Sequence, residues 1–150
     1  QVLGQLRQEF AYVFAEKKYP GTPKISENKI MNVPFNIQDV NITPINVMHH
    51  KLAVFGFRIG DFTYITDANK IDEIELEKIK GSKIFILNAL QKKEHISHFN
   101  LDQAIVIAQQ IDAEQTYFTH ISHNMGLHHT ITKELPENIF LAYDGLKLNL

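Results

Sequence analysis

The stretch Tyr117-Phe118-Thr119-His120-Ile121-Ser122-His123 constrains the fold more than any other part of the chain. A short run of β-branched and aromatic residues reads as a strand, and this one runs straight into a His-x-x-His cluster. Upstream, Lys83–Leu87 followed by the loop Asn88 to His98 repeats the design: a buried strand, then a loop carrying His95 and His98. Between the two units Leu101–Ile111 is apolar at helical spacing, with Asn100 or Asp102 placed to open a helix. A strand–helix–strand unit brings its strands side by side, so both histidine loops are expected at one edge. A third strand, Phe62–Thr66, ends on Asp67, and His49-His50 closes the apolar run Pro44–Met48. Strand ends that repeatedly deliver His and Asp suit a hydrolytic metal centre, since imidazole and carboxylate bind zinc, manganese or iron and strand termini hold them rigidly.

At 150 residues the chain is long enough for one domain, and 44% hydrophobic with 21% charged residues supports a sizeable core. A formal charge of −2 gives no electrostatic footprint for nucleic acid or an anionic membrane. With no cysteine, disulfides and thiolate metal sites are excluded, and a reducing cytoplasm is the expected location. No apolar run approaches the ~20 residues that span a bilayer. The sequence opens at Gln1, inside an amphipathic pattern, which raises the expectation of residues upstream.

Along the chain, Val2, Leu3, Leu6, Phe10, Val13 and Phe14 predict a helix over 2–17, stopped by Tyr19-Pro-Gly-Thr-Pro23. Strands are expected around Ile25 and over 29–33, 40–47, 53–59 and 62–66, with Gly60-Asp61 as a two-residue hairpin turn. A charged helix over 72–80 closes at Gly81. A strand follows at 115–119 and a helix at 127–135, stopped by Pro136. The runs 139–143 and 146–150 flank Asp144-Gly145, which signals a further hairpin. The fold class is α/β, a mixed sheet with helices outside and histidine-bearing loops at one rim. No linker or repeat divides it, so residues 1–150 read as one domain.

Each candidate residue also has a plainer reading. Adjacent strand residues face opposite ways, so at most one of His49 and His50 enters a given site, and both could be loop histidines. Asp67 could be a turn or capping aspartate. His98 could serve only at a helix entry. His120 and His123 form the stronger pair, while His128 and His129 are expected in solvent. Asp72, Glu73, Glu75 and Glu77 look like a solvated charge run. There is no Gly-rich phosphate loop and no G-x-S-x-G elbow.

Taken in order, Tyr64-Ile-Thr-Asp67-Ala-Asn, Leu87-Asn-Ala-Leu, His95-Ile-Ser-His98-Phe-Asn, Thr119-His120-Ile-Ser-His123 and Leu141-Ala-Tyr-Asp144-Gly-Leu resemble the metallo-β-lactamase superfamily. The nearest branch is the phosphodiesterase that opens phosphoribosyl 1,2-cyclic phosphate, with tRNA 3′-processing nucleases further off. The resemblance implies an αββα sandwich and a metal-dependent phosphodiesterase acting on a small phosphodiester. It makes His49 a ligand of the first metal, Asp67 the carboxylate bridging both, His120 a ligand of the second, and His98 the general acid that protonates the leaving alkoxide. Two divalent ions, zinc or manganese, would supply a hydroxide that attacks phosphorus in line. Asn88, Ser97 or Ser122 would orient these groups. His123 receives no role.

The family's further ligands lie on an early His-x-His-x-Asp-His motif, and no such motif occurs in these 150 residues. The resemblance therefore implies a C-terminal portion of the domain, inactive alone, with little or no tightly bound metal. Apolar surface at Phe35, Val40, Ile42 and Ile45, together with the face of the Val2–Phe14 helix, uncovered in such a portion, would favour a homodimer. The alternatives are a hydrolase of the same fold acting on another ester or a thioester, and a metal-free binding module.

Overall fold

The computed structural model describes residues 2–149 and divides into two compact units after Met31. The first unit holds helix α1 (Val2–Glu9) and the single turn α2 (Ala11–Phe14). The expected helix over 2–17 is thus interrupted at Phe10. α1 buries none of its residues, so its apolar periodicity has no packing to hold one continuous helix. Arg7 and Glu27 pair within this unit, Nε to Oε1 at 2.9 Å. The segment around Ile25 and residues 29–33, expected as strands, forms none. Its isolated apolar positions lack a neighbouring strand to satisfy their backbone.

The second unit is a mixed sheet. Its strands are β1 (Phe35–Ile37), β2 (Val40–His49), β3 (Leu52–Ile59), β4 (Phe62–Ile65), β5 (Lys70–Ile71), β6 (Ile84–Asn88), β7 (Gln115–Thr119) and β8 (Ile139–Leu141). The order is β1-β2-β3-β4-β6-β7-β8, with β5 beside β2. β1 through β4 pair antiparallel, and β4, β6, β7 and β8 run parallel. Helices α3 (Glu73–Ile79), α4 (Leu101–Ile111) and the short α5 (His128–Ile131) occupy the three connections between the parallel strands. β6 is buried along its whole length, as a strand with parallel neighbours on both sides requires. The core gathers Ile45, Val47, Ile65, Phe85, Leu87, Phe118 and Leu141 from the sheet with Leu76, Ile79, Leu101, Ala104, Ala108 and Ile111 from the helices.

Local chemistry explains the boundaries. Asn100 caps α4 in a complete capping box: its Oδ1 accepts from Gln103 N at 2.8 Å, and Gln103 Oε1 accepts from Asn100 N. Asp112 ends the helix in the left-handed region at φ 52°, where a short polar side chain is tolerated. Gly56 is dictated by its neighbour: a Cβ there would lie 2.5 Å from Ile65 Cγ1 and 2.9 Å from Tyr64 O. The helix expected over 127–135 shrinks to one turn. Asp144-Gly145 makes a turn, with Leu146 N donating to Tyr143 O at 3.1 Å, but 146–149 do not pair back on β8. A turn signal fixes the bend and leaves strand pairing to tertiary packing. Ile42 and Ile45 are buried, whereas Val40 is exposed.

The charged run on α3 is only partly solvated. β2 pairs with β1 up to Ile42 and with β5 from Val47, which leaves the edge between them open. Side chains of α3 fill it. Asn46 N donates to Glu75 Oε2 at 2.8 Å, and Lys78 Nζ donates to Pro44 O at 3.3 Å and to Glu75 Oε2 at 2.7 Å. Asn32 Nδ2 donates to the other Glu75 oxygen. Glu75 is 5% exposed. Burial alone would raise its pKa; the bonds from Lys78, Asn32 and Asn46 outweigh that, so its carboxyl lies below the ordinary value of 4.5. A depressed folded-state pKa stabilises the fold above the ordinary value, and that contribution drains away as pH falls through the folded-state value. Glu75→Gln is therefore expected to cost about 2 kcal/mol at neutral pH, with the difference narrowing as the pH drops below 4.5. Urea denaturation of both proteins across this range checks it, and a pH-independent difference would contradict it.

Candidate metal and hydrolytic centre

Parallel strands put their carboxyl ends at one rim, the usual place for a site in an α/β sheet. β2 runs parallel to β4, because both are antiparallel to β3. The rim therefore collects the end of β2 with His49, the loop after β4 with Asp67, the loop after β6 with His95 and His98, and the first residue after β7, His120. Here His98 Nε2 lies 3.0 Å and His120 Nε2 3.4 Å from Asp67 Oδ1. The His98 and His120 rings stack at 4.7 Å between centroids, and His49 meets His98 edge-on at 4.9 Å. Ligand atoms of His49, Asp67 and His98 all fall within 4.8 Å of one another.

The loops are laced together by backbone and amide bonds. Asn88, fully buried at the end of β6, donates Nδ2 to Ala68 O and accepts Ala68 N on Oδ1, both at 2.9 Å. Phe99 N also donates to Ala68 O. Asn69 N donates to Met48 O, Asn69 Oδ1 accepts from His50 N, and Asn69 Nδ2 donates to Ile96 O. Asn69 thus ties the β2–β3 turn, the Asp67 loop and the His95–His98 loop. This role was not read from the sequence; the only trace of it is an Asx residue following the strand-end aspartate. Ser122 N donates to Leu90 O, joining the last two loops.

Asp67 and His120 hold φ of 55° and 59°, and the turn residue His50 also has φ 55°. Non-glycine residues in this region carry about 1–3 kcal/mol of strain and gather at functional sites, where surrounding bonds over-determine them. His98 is 9% exposed. Burial lowers its pKa below the ordinary 6.5; the bond to Asp67 opposes this, and the neighbouring imidazoles of His120, His49 and His95 add to the lowering. Ser97 Oγ reaches His98 Nδ1 at 3.0 Å, and His95 Nδ1 lies 3.1 Å from the same nitrogen.

The residues named from the sequence thus fall as follows: His49, Asp67, His98 and His120 crowd together, with His95 behind His98. His123, His128 and His129 are exposed, as is His50 at the β2–β3 turn, which lines a hollow with His49. Shallow hollows flank the cluster, one lined by Thr119, His120, Tyr143 and Asp144, the other by His49, Lys51, Leu52 and Ser97. The donor set, neutral imidazole plus carboxylate, fits a divalent transition metal. Among the described residues no helix is long and apolar enough to cross a membrane.

Comparison with known proteins gives the family and the fold. The profile of the beta-lactamase superfamily domain matches residues 1–121. A Porphyromonas gingivalis protein named octanoyltransferase is 36% identical over an alignment of 149 residues that covers 97% of this chain and 30% of that protein. The crystal structure of a diphosphatase from the PhnP family superimposes with a TM-score of 0.85 at 32% identity, over 97% of this chain and 54% of that one. The metallo-beta-lactamase fold protein YhfI from Bacillus subtilis gives a TM-score of 0.67 at 18% identity, over 93% of this chain and 59% of that one. The chain spans about half or less of the length of the first two relatives. By sequence and by topology, it belongs to the beta-lactamase superfamily and has the metallo-β-lactamase fold.

Proposed function

We propose that this chain carries part of the active site of a metal-dependent phosphodiesterase. The observation that supports it most is the Asp67 carboxylate facing two imidazoles, His98 at 3.0 Å and His120 at 3.4 Å, at the carboxyl ends of parallel strands. The similarity to a diphosphatase points the same way. His49, Asp67 and His120 would hold divalent metal. When bound, such an ion supplies Lewis acidity and a nucleophile at neutral pH. Asp67 would supply the negative charge that such an ion needs, and His120, with its side chain 38% exposed, lies at the open rim. As imidazolium, His98 would hold a proton at Nε2, beside Asp67, and deliver it to the leaving oxygen, returning to the neutral ring. Its burial keeps water from that proton, and its Nδ1 is already engaged by Ser97 and His95.

The test uses the protein expressed from its own gene. Hydrolysis of bis(p-nitrophenyl) phosphate should vanish on chelation and return with zinc or manganese. A p-nitrophenolate leaves without help, whereas an alkoxide needs a proton. His98→Gln should therefore slow a nucleoside 2′,3′-cyclic phosphate by about 100-fold or more, within the usual range for general acid catalysis, and the aryl diester far less. A second reading, hydrolysis of a thioester, draws on the relative named octanoyltransferase. Metal-dependent turnover of an octanoyl thioester without phosphodiester turnover would replace the first reading with the second.

A further inference from the structure

A hollow of about 550 Å³ opens beside His49, lined by His50, Lys51, Leu52, Ile96 and Ser97. Its walls come from two loops far apart in the chain, and Asn69 ties them together. Asn69 Oδ1 accepts from His50 N at 2.8 Å, and its Nδ2 donates to Ile96 O at 3.1 Å. These bonds hold a turn in which His50 takes the left-handed region at φ 55°. Leu52 and Ile96 stand 54% and 68% exposed on the walls, so both offer apolar surface to an occupant. Between them Lys51 forms no ion pair or side-chain hydrogen bond among the described residues, whereas Lys70 and Lys92 are tied to Asp72 and Glu134, each at 2.7 Å. The hollow beside His120 carries the opposite charge, on exposed Asp144. Both hollows border the cluster of His49, Asp67, His98 and His120, and a field of unlike sign at its two flanks orients a charged ligand.

We propose that the hollow beside His49 is a subsite for a second, non-reacting phosphate on the phosphodiester substrate, with Lys51 as the residue that selects it. The substrate's organic body rests on Leu52 and Ile96, and the Lys51 ammonium receives the second phosphate as a point charge. Asp144 repels the same group from the hollow beside His120, so discrimination comes from a repulsive element as well as an attractive one. The inference deepens the phosphodiesterase reading and rests on it for turnover, but not for binding. Lys51 is an exposed turn residue, so its replacement leaves the core intact.

The experiment uses two substrates that differ only in the second phosphate: adenosine 2′,3′-cyclic phosphate with and without a 5′-phosphate. The native protein should favour the 5′-phosphorylated compound by about 10-fold in kcat/KM, the lower end for a hydrogen bond to a charged group, because Lys51 is exposed and screened. Lys51→Met should bring that ratio close to parity, with the loss in KM rather than kcat. Lys51→Glu should invert the preference, and Lys51→Arg should keep most of it. Raising the salt concentration should erode the native preference and leave the ratio in Lys51→Met where it is. A native protein indifferent to the 5′-phosphate, or a ratio unchanged in Lys51→Met, overturns the proposal. Calorimetric titration with adenosine 3′,5′-bisphosphate and adenosine 3′-phosphate, in the presence of zinc, reads the subsite without turnover. The bisphosphate should bind about 10-fold more tightly to the native protein and lose that advantage in Lys51→Met. Absence of turnover with either cyclic phosphate counts against the proposed function, while the titration still decides Lys51; equal binding of the two nucleotides, or binding of neither, overturns the subsite.

Discussion

Asp67→Asn should lower metal-dependent phosphodiester hydrolysis by on the order of a thousandfold, the scale seen when one electrostatic stabiliser is removed from an active site, while leaving the protein folded. Asparagine is the informative replacement. Asp67 holds φ 55°, and asparagine tolerates that region nearly as well, so the backbone is kept. Its amide oxygen still accepts from His98 Nε2. What disappears is the negative charge shared by His98 and His120 and any metal held among them. The side chain is 48% exposed, so the loss of charge leaves the core unaffected. Turnover, calorimetric titration with zinc or manganese, and circular dichroism separate the outcomes. Full activity with unchanged metal affinity would remove Asp67 from the site; loss of the folded signal would make its role structural.

Asn88→Leu should destabilise the fold by about 3 kcal/mol, since it strands the buried Ala68 N–H, at about 1–3 kcal/mol, and removes one of the two bonds to Ala68 O, at about 1 kcal/mol. Leucine fits the volume but returns neither bond, so Ala68 N–H loses its partner and Ala68 O keeps only Phe99 N. For a domain of this size that corresponds to a drop in Tm of roughly 6–12 °C. The damage should not stop at stability. Ala68 follows Asp67 directly, so the carboxylate loses its anchor and activity should fall even at temperatures where the variant is folded. Urea denaturation together with turnover at low temperature measures both. A stability change under about 1 kcal/mol would show that the loop is held by Phe99 and Asn69 instead.

The two halves of the chain differ in how far their sequence reaches. From Lys83 to Thr119 each strand and helix was readable to within a residue or so. β6 is uniformly apolar because both faces are buried, α4 carries its capping box in adjacent letters, and each strand ends on polar residues. Before Phe35 the same reading expected strands and a continuous helix where the structure has loops and two short helices. β1 and β5 escaped it, being only 3 and 2 residues long and defined by what they pair with rather than by any pattern of their own.

The candidate site divides in the same way. The sequence alone determined which residue types stand at the ends of strands, because a strand's apolar alternation stops where its side chains leave the core, and His49, Asp67, His98 and His120 follow such stops. Tertiary structure alone decided that His98 lies between Asp67 and His95, that Asp67 and His120 take left-handed backbone, and that Asn69 and Asn88 tie the loops. These facts depend on bonds between residues far apart in the chain. A strand end has a local signature in apolar spacing, whereas the distance between two loops is set only when the sheet closes its register and brings their backbones together.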